Sequence, residues 1–369
     1  EEKLLDTPVV QRLRRVRQLG LTSLVYPSAT HTRFQHSLGV MHLAGKFAES
    51  LDLDDRRTRE LRIAGLLHDT GHGPFSHASE MAVKNHGLAH EDFSCEAIDR
   101  LEDYYEVDPQ RLHKIIRGEL ELGQIVGGDI DADRMDYLVR DAHSSGVEHG
   151  EIDVETIIRL GEIDSRRLVY RQKAIRALEA LFTSRFHMRK TVYLHPTAEI
   201  AEKMLQRCIE NYIERGNKIE RFMRKDDYGA HNVLKNSDGI LGEIYSRLNQ
   251  RKLYKTALDW GEESVSRAGL KNLEENIGEP RVLEAEIAEE SGLDPQQVII
   301  DKPSTPQKNK LEVKVKKSGD VRNLSYFSPI PEALKKAEWR TSRLKIYSSK
   351  ENMGKVKEVA PDILEDYLE

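Results

Sequence analysis

The feature that most constrains this chain is a hydrophobic repeat at helical spacing, sustained from near its start to about residue 275. HSLGVMHLAGKFAESL, RRTRELRIAGLLHD, HEDFSCEAIDRLEDYY, AIRALEALFTSRFHMRKTVYL and TAEIAEKMLQRCIENYIER all carry it. Apolar side chains three and four residues apart line one face of a helix, so residues 1–280 are predicted to form a mainly α-helical core. LVYPSA interrupts the pattern, and GEID-SRRLVYR reads as a small hairpin. After Pro280 the texture changes: a short helix, VLEAEIAEESG, precedes the β-like runs VIID, LEVKVK and RLKIYS. Residues 281–369 are therefore expected to form a small α+β lobe. PSTPQKNK and VKKSGD are turn or loop candidates, and no internal repeat is visible.

One segment of the helical region stands apart. LLHDTGHGPFSH, residues 66–77, runs an apolar stripe into His68-Asp69 and follows it with His72 and His77. On RRTRELRIAGLLHDTG, Leu61, Ala64 and Leu67 form the buried stripe, and Gly71 is expected to cap the helix just past the pair. The carbonyl end of a helix is partially negative, which adds to the pull of Asp69 on a cation. Two adjacent ligands do not complete a site. The candidates to join them are His36 in HTRFQHSLG and an aspartate in GDIDADRMDYLVRDAH. Mixed imidazole and carboxylate ligation suits divalent Mn, Fe, Zn or Mg and leaves positions for water and a phosphate oxygen. A lone histidine is most often a hydrogen-bonded helix residue, but clustering argues otherwise here. Of the 14 histidines, His31, His36, His42, His68, His72, His77 and His90 all fall within residues 31–90.

Composition narrows the partners. With 63 acidic against 57 basic residues the formal charge is -6, so bulk charge does not recruit nucleic acid and any anion site must be local. Cys95 and Cys208 lack a CxxC or zinc-ribbon partner and read as buried thiols of a reducing, cytoplasmic protein. The apolar runs fall short of the ~18 residues a membrane span needs, so no membrane association is expected. The chain opens at Glu1 rather than a methionine, and residues upstream of it are expected.

The order His36, His68-Asp69, Asp133 resembles the H…HD…D signature of the HD-domain phosphohydrolases. The wider strings DTPVVQRLRRVRQLG, YPSATHTRFQHSLGV, AGLLHDTGHGPFSH and DIDADRMDYLVRDAHSSG resemble the deoxynucleoside triphosphate (dNTP) triphosphohydrolases, especially the SAM-and-HD-domain type. The likeness runs from Asp6 to about Asp141 and continues more weakly through SRFHMRKTVYLH, ERFMRKDD and RKLYK. It implies an HD-domain helical core in which His36, His68, Asp69 and Asp133 bind a metal that polarises the α-phosphate. It also implies that His72, His77 and His90 are active-site histidines. His77 would be the general acid toward the leaving nucleoside oxygen, oriented by Glu80, where the family has aspartate. Cleavage would release deoxynucleoside and intact triphosphate.

Arg33, Arg134 and Arg185 match the family's phosphate-contacting positions, where guanidinium forks donate paired hydrogen bonds and keep their charge. By the same resemblance Gln18, Tyr137 and Asp141 would contact the sugar, chiefly its 3′-hydroxyl. Leu19 and Tyr193 would crowd its 2′ face and exclude a ribose hydroxyl. Asp6, Gln11 and Arg14, with Arg251 and Lys255, match positions that bind an activator, GTP or a dNTP, between subunits of a homotetramer or dimer of dimers. Residues upstream of Glu1 would complete part of that site. On sequence alone QRLRRVRQ is a basic amphipathic helix whose default reading is a solvated face.

Two other readings compete with a dNTP triphosphohydrolase. One is an HD nucleotidase or phosphodiesterase acting on monophosphates or nucleic-acid ends. A monophosphate needs fewer cations around it than the arginines provide. The other is a nucleotide-sensing scaffold with a vestigial site, against which the complete set of candidate ligands and proton donors argues.

Overall fold

The apolar periodicity becomes helix. The computed structural model describes residues 1–165, 167–304 and 313–368 and is mainly α-helical, with two small sheets. HSLGVMHLAGKFAES lies in the helix Arg33–Ser50 and RRTRELRIAGLL in the helix Asp55–Leu67. Asp54 starts the second: its carboxylate accepts the Arg57 amide at 2.8 Å, satisfying a donor that the first turn leaves free. The two helices pack closely at Gly65, where an added Cβ would stand 3.1 Å from the Met41 backbone. Ala44, Phe47, Leu61 and Ala64 are buried.

Backbone packing groups the chain into two units. The first comprises Glu1–Tyr193, Asn217–Asn232 and the described part of Lys310–Glu332. Its sheet begins with the expected hairpin: Gly161–Asp164 pairs antiparallel with Arg167–Arg171, and Ser165 takes φ +49° in the turn. Lys314–Lys317 joins the hairpin in parallel, Val315 opposite Tyr170, and Asp320–Asn323 closes the sheet. The described part of LEVKVK is thus a strand, but it lies in this unit's sheet and not in a C-terminal lobe. Val315 and its partner Tyr170 are both buried, so the pairing adds apolar burial to backbone hydrogen bonds. VKKSGD makes the turn that follows, with Ser318 and Gly319 at φ +48° and +89°. Of PSTPQKNK, all but Pro303 and Ser304 lie outside the described residues.

The second unit comprises Leu194–Gly216 and the described parts of Val233–Asn309 and Ala333–Glu369. Leu344–Ser348 is its central strand, antiparallel to Lys255–Trp260 on one side and Ile299–Asp301 on the other. Leu270, Leu273, Leu283, Ile287, Ile346, Val356 and Leu364 form its fully buried core. Residue 280 falls inside this unit, where Pro280 opens the helix Pro280–Ser291 and Gly292 ends it at φ +64°. The strand Lys255–Trp260 interrupts the helical reading; its 6 residues are too few to display a period that differs from the helices around it.

Two departures from the expected helices bear on the site. HEDFSCEAIDRLEDYY is α-helical only over His90–Asp99, after which Tyr105 is extended and its hydroxyl donates back to the Ile98 carbonyl at 2.7 Å. AIRALEALFTSRFHMRKTVYL forms the helix Ile175–Met188 and then a π-helical turn, Arg189–Tyr193. The wider turn changes the direction in which Tyr193 projects. Cys95 and Cys208 are buried, free thiols. No helix among the described residues is long and apolar enough to cross a membrane.

A buried ion pair ties three elements of the second unit. Arg207 donates to Glu284 Oε1 at 2.5 Å and to the Val298 carbonyl at 3.1 Å, while the same Glu284 oxygen accepts the Ile300 amide at 2.9 Å. Glu284→Ala leaves the buried guanidinium with only the more distant Glu210, 3.7 Å from its Nε, as counter-charge. A loss of about 3–5 kcal/mol in urea unfolding is expected. A change within about 0.5 kcal/mol, typical of an exposed position, would contradict it.

Candidate metal centre

Three segments bring the candidate ligands together. His36 sits in the first turn of Arg33–Ser50, Asp133 in the first turn of Ala132–Ser145, and His68-Asp69 directly follow Leu67. His36 Nε2 lies 2.9 Å from Asp133 Oδ1 and 3.7 Å from Asp69 Oδ2. His68 Nε2 lies 3.2 Å from Asp69 Oδ1 and 3.8 Å from Asp133 Oδ1.

Gly71 serves a purpose other than the helix cap expected of it. His68, in right-handed helical conformation, is the C-cap, and Gly71 is not among the left-handed glycines. Close packing explains it instead: an added Cβ would stand 2.0 Å from the His90 carbonyl oxygen. The Gly71 amide donates to Ser94 Oγ at 2.9 Å, and that hydroxyl donates to the His68 carbonyl at 2.6 Å. The helix His90–Asp99 is thereby fastened to the ligand turn.

The hydrogen bonds behind the two imidazoles test whether a cation fits. His68 Nδ1 is 2.8 Å from the Gly65 carbonyl, which only accepts, and His36 Nδ1 is 2.8 Å from Asp136 Oδ2. Each Nδ1 therefore carries a proton. Both Nε2 atoms are buried without a hydrogen-bond partner. Orphaned buried nitrogens are costly, and two of them beside two carboxylates are what a divalent cation would satisfy. Asp136 is itself held by Arg140, whose Nε and guanidinium terminus donate at 2.8 and 2.7 Å. Gly39 makes room for it: an added Cβ there would stand 1.8 Å from Asp136 Oδ1. The sequence reading missed Asp136 because GDIDADRMDYLVRDAH offers several aspartates. Only its position one helical turn after Asp133 sets it apart.

Electrostatics agree with a cation site. Burial opposes charge on His36, but the surrounding carboxylates Asp133, Asp136 and Asp69 outweigh it and raise its pKa to about 10, so the pocket favours a positive charge. Against burial, Arg33 and the neighbouring imidazoles hold Asp69 well below the usual carboxylate range. Asp133 is likewise lowered by His36 and His68.

The proton-handling candidates adjoin the ligands. His72 Nε2 is 3.3 Å from Asp69 Oδ1, and its ring stacks on His90 with centroids 3.9 Å apart. Burial, Arg33 and His90 hold His72 neutral by pushing its pKa well down. His90 is raised, burial being outweighed by Glu80, which lies 2.7 Å from His90 Nδ1. The other Glu80 oxygen is 3.8 Å from Nδ1 of His77, a half-exposed side chain. Glutamate, one methylene longer than aspartate, thus spans both rings.

His77 is delivered by a strained turn. Phe75 and Ser76 have φ +59° and +49°, unusual for side-chain-bearing residues. Arg33 braces it by donating to Ser76 Oγ at 2.7 Å and to Asp69 Oδ2 at 2.6 Å. Asp227 accepts the Phe75 amide at 2.7 Å and the Arg17 amide at 3.1 Å. Arg12 donates to the Thr70, His72 and Lys225 carbonyls at 2.8, 2.7 and 2.7 Å. Arg12 and Asp227 were invisible in the sequence because their partners are far along the chain.

The candidates for sugar and phosphate contact form a second group. Tyr193 donates to Asp141 Oδ2 at 2.7 Å, and the Tyr137 and Tyr193 rings lie 6.4 Å apart. Gln18 and Leu19 are buried. Arg134 donates to the Asp129 carbonyl, while its buried Nε has no partner. Arg185 is near enough for its charge to lower the pKa of Tyr137 and Tyr193 against the burial that raises both. Asp133, Tyr137 and Asp141 recur every four residues along Ala132–Ser145, so one helix face carries both groups.

The activator candidates fall in both units. Gln11 donates to the Leu5 carbonyl at 2.7 Å, Arg14 donates to Gln11 Oε1 at 2.8 Å and lies over the Phe34 ring, and Asp6 caps Glu2–Leu5. Arg251 and Lys255 belong to the second unit.

Comparison with known proteins adds relatives to this geometry. Residues 33–141 match the HD domain and residues 152–366 the HD associated region. An uncharacterised protein of Methanocaldococcus jannaschii is 35% identical over 97% of this chain and 78% of its own length. A Dictyostelium discoideum protein named deoxynucleoside triphosphate triphosphohydrolase SAMHD1 homolog is 34% identical over 54% of this chain, and the match spans 44% of that relative. The crystal structure of a phosphohydrolase from Bacteroides thetaiotaomicron superposes with a TM-score of 0.75 at 28% identity, covering 95% of both chains.

Asp136→Ala or Gly39→Ala should loosen the His36 ring without touching a ligand. Titration calorimetry with Mn²⁺ is expected to show affinity lower by about 10–100-fold in either variant. Wild-type affinity in both would remove Asp136 from the site.

Proposed function

Because the chain belongs to the HD-domain phosphohydrolase family, we propose that it hydrolyses deoxynucleoside triphosphates to deoxynucleoside and inorganic triphosphate. The observation that carries this reading is the shared helix face of Asp133, Tyr137 and Asp141. Eight residues of helix advance about 12 Å, enough for a sugar between a phosphate held near Asp133 and the Asp141 carboxylate. The Dictyostelium relative's name supports the same substrate class.

In this reading His36, His68, Asp69 and Asp133 would hold the divalent ion, Mn, Fe, Mg or Zn. Bound there, the ion would supply Lewis-acid polarisation of a phosphoryl oxygen. Arg33, Arg134 and Arg185 neutralise the triphosphate, which a monophosphate would not require. Water adds to the α-phosphorus as the bond to the 5′-oxygen breaks, His77 gives that oxygen its proton, and the proton shed by the water restores, through solvent, the one His77 gave. Glu80 orients His77 and raises the pKa of His90 beside neutral His72. Gln18, Tyr137 and Asp141 contact the 3′-hydroxyl, while Leu19 and Tyr193 close the 2′ face. We extend the reading to an activator nucleotide, GTP or a dNTP, bound between subunits of a homotetramer or dimer of dimers, with Asp6, Gln11, Arg14, Arg251 and Lys255 contributing. The hydrogen bond that Arg14 donates to Gln11 supports a shared role.

Product analysis with the four dNTPs, each with and without GTP, across Mn, Mg, Fe and Zn tests the reaction. Equimolar deoxynucleoside and triphosphate are expected, and none from Asp69→Ala or His36→Ala protein that retains the wild-type circular dichroism. Orthophosphate or pyrophosphate as first product would falsify the assignment. Tyr193→Ala is expected to narrow the preference for dNTP over NTP on the order of tenfold, measured as the ratio of kcat/KM values. An unchanged ratio would remove Tyr193 from sugar selection.

A further inference from the structure

The hydrogen bonds around Asp141 lead to a residue that this chemistry leaves unused. His31 is 8% exposed, and its Nε2 lies 2.8 Å from Asp141 Oδ1. A carboxylate only accepts, so the ring donates. Tyr193 donates to the other oxygen at 2.7 Å. Asp141, 2% exposed, is therefore held at both oxygens, each with a further lone pair. The His31 carbonyl meanwhile accepts the Gln18 amide at 3.0 Å. The strands of chain on either side are joined too: Arg17 pairs with Thr32, and the Arg33 amide donates to the Val16 carbonyl at 2.9 Å. Gln18 Oε1 is buried without a hydrogen-bond partner, as is His31 Nδ1.

We propose that His31 is a positioning residue for sugar recognition, its ring fixing Asp141 and its carbonyl fixing Gln18 so that both meet a 3′-hydroxyl in a set direction. This rests on the reading of Asp141 and Gln18 as sugar contacts. An unheld carboxylate would rotate about its last bond and lose that freedom only on binding. With the ring in place the ordering is complete beforehand, so binding is tighter at no change in the chemistry. A sugar without a 3′-hydroxyl gains nothing from it, because Asp141 then meets no donor.

Phenylalanine and glutamine separate the donor from the ring's bulk. His31 lines a cavity of about 330 Å³ with Ser28, Thr30, Gln35, His143 and Ser144, so truncation to alanine would let water reach Asp141. Phenylalanine fills the ring volume without a donor, and glutamine carries an amide N–H near the place of Nε2. Triphosphate release is measured for a dNTP and its 2′,3′-dideoxy analogue. His31→Phe is expected to raise KM for the dNTP on the order of tenfold with kcat nearly constant, and to shrink the preference over the dideoxy analogue by the same factor. His31→Gln should restore most of it. In an Asp141→Ala background, which removes the acceptor, His31→Phe should add less than about twofold. Wild-type preference in His31→Phe, or equal impairment by Phe and Gln, overturns the positioning role and leaves the dNTPase reading standing. A wild-type protein that releases no triphosphate, or does not distinguish the two sugars, overturns the reading beneath it and the role of His31 with it.

Discussion

The placement of two protons governs the centre of this molecule. The Gly65 carbonyl and the Asp136 carboxylate fix hydrogen on Nδ1 of His68 and His36, which turns both Nε2 lone pairs toward Asp69 and Asp133. Everything around them maintains that state. Arg140 keeps Asp136 charged and directed, Gly39 leaves it space, and Ser94 steadies the carbonyl of His68. A pair of imidazoles free to choose tautomers would offer one ligand atom where two are needed.

A second constraint is the backbone strain at Phe75 and Ser76. Strain of this kind, about 1–3 kcal/mol per residue, persists only where neighbours over-determine the conformation. Arg33 contributes from one side and Asp227 from the other. Arg33 also touches Asp69, so one guanidinium connects the ligand set to the turn that carries His77. A phosphate arriving at Arg33 would compete with Asp69 for the same donors. In the proposed reading the candidate ligand carboxylate and the substrate would thus be coupled through a shared cation.

What the sequence revealed followed the range of each interaction. Helix and hairpin depend on neighbours a few residues apart, and the stripes of RRTRELRIAGLL and the GEID-SRRLVYR pair were legible for that reason. His36, His68, Asp69 and Asp133 were recognisable because a motif fixes their residue types, and the structure draws them together. Asp136 was hidden among equivalent aspartates, and Arg12 and Asp227 act on partners no local pattern records. The β run LEVKVK was recognised as extended, yet its sheet was not, since parallel pairing with Arg167–Arg171 spans more than a hundred residues. Gly71 shows the converse: the residue type was diagnostic, but close packing against His90, not a left-handed turn, requires it.

Asp227 has one further consequence, for the order in which the molecule can be made. Its carboxylate meets the Phe75 amide across 152 residues of sequence, and the strand Lys314–Lys317 returns to the hairpin later still. A chain emerging from the ribosome would have all its metal ligands well before either contact could form. The nascent chain would therefore carry its candidate cation ligands before Asp227 can brace the turn bearing His77. Early occupancy by a metal would stabilise that intermediate by mass action, making ion supply during synthesis part of the folding problem.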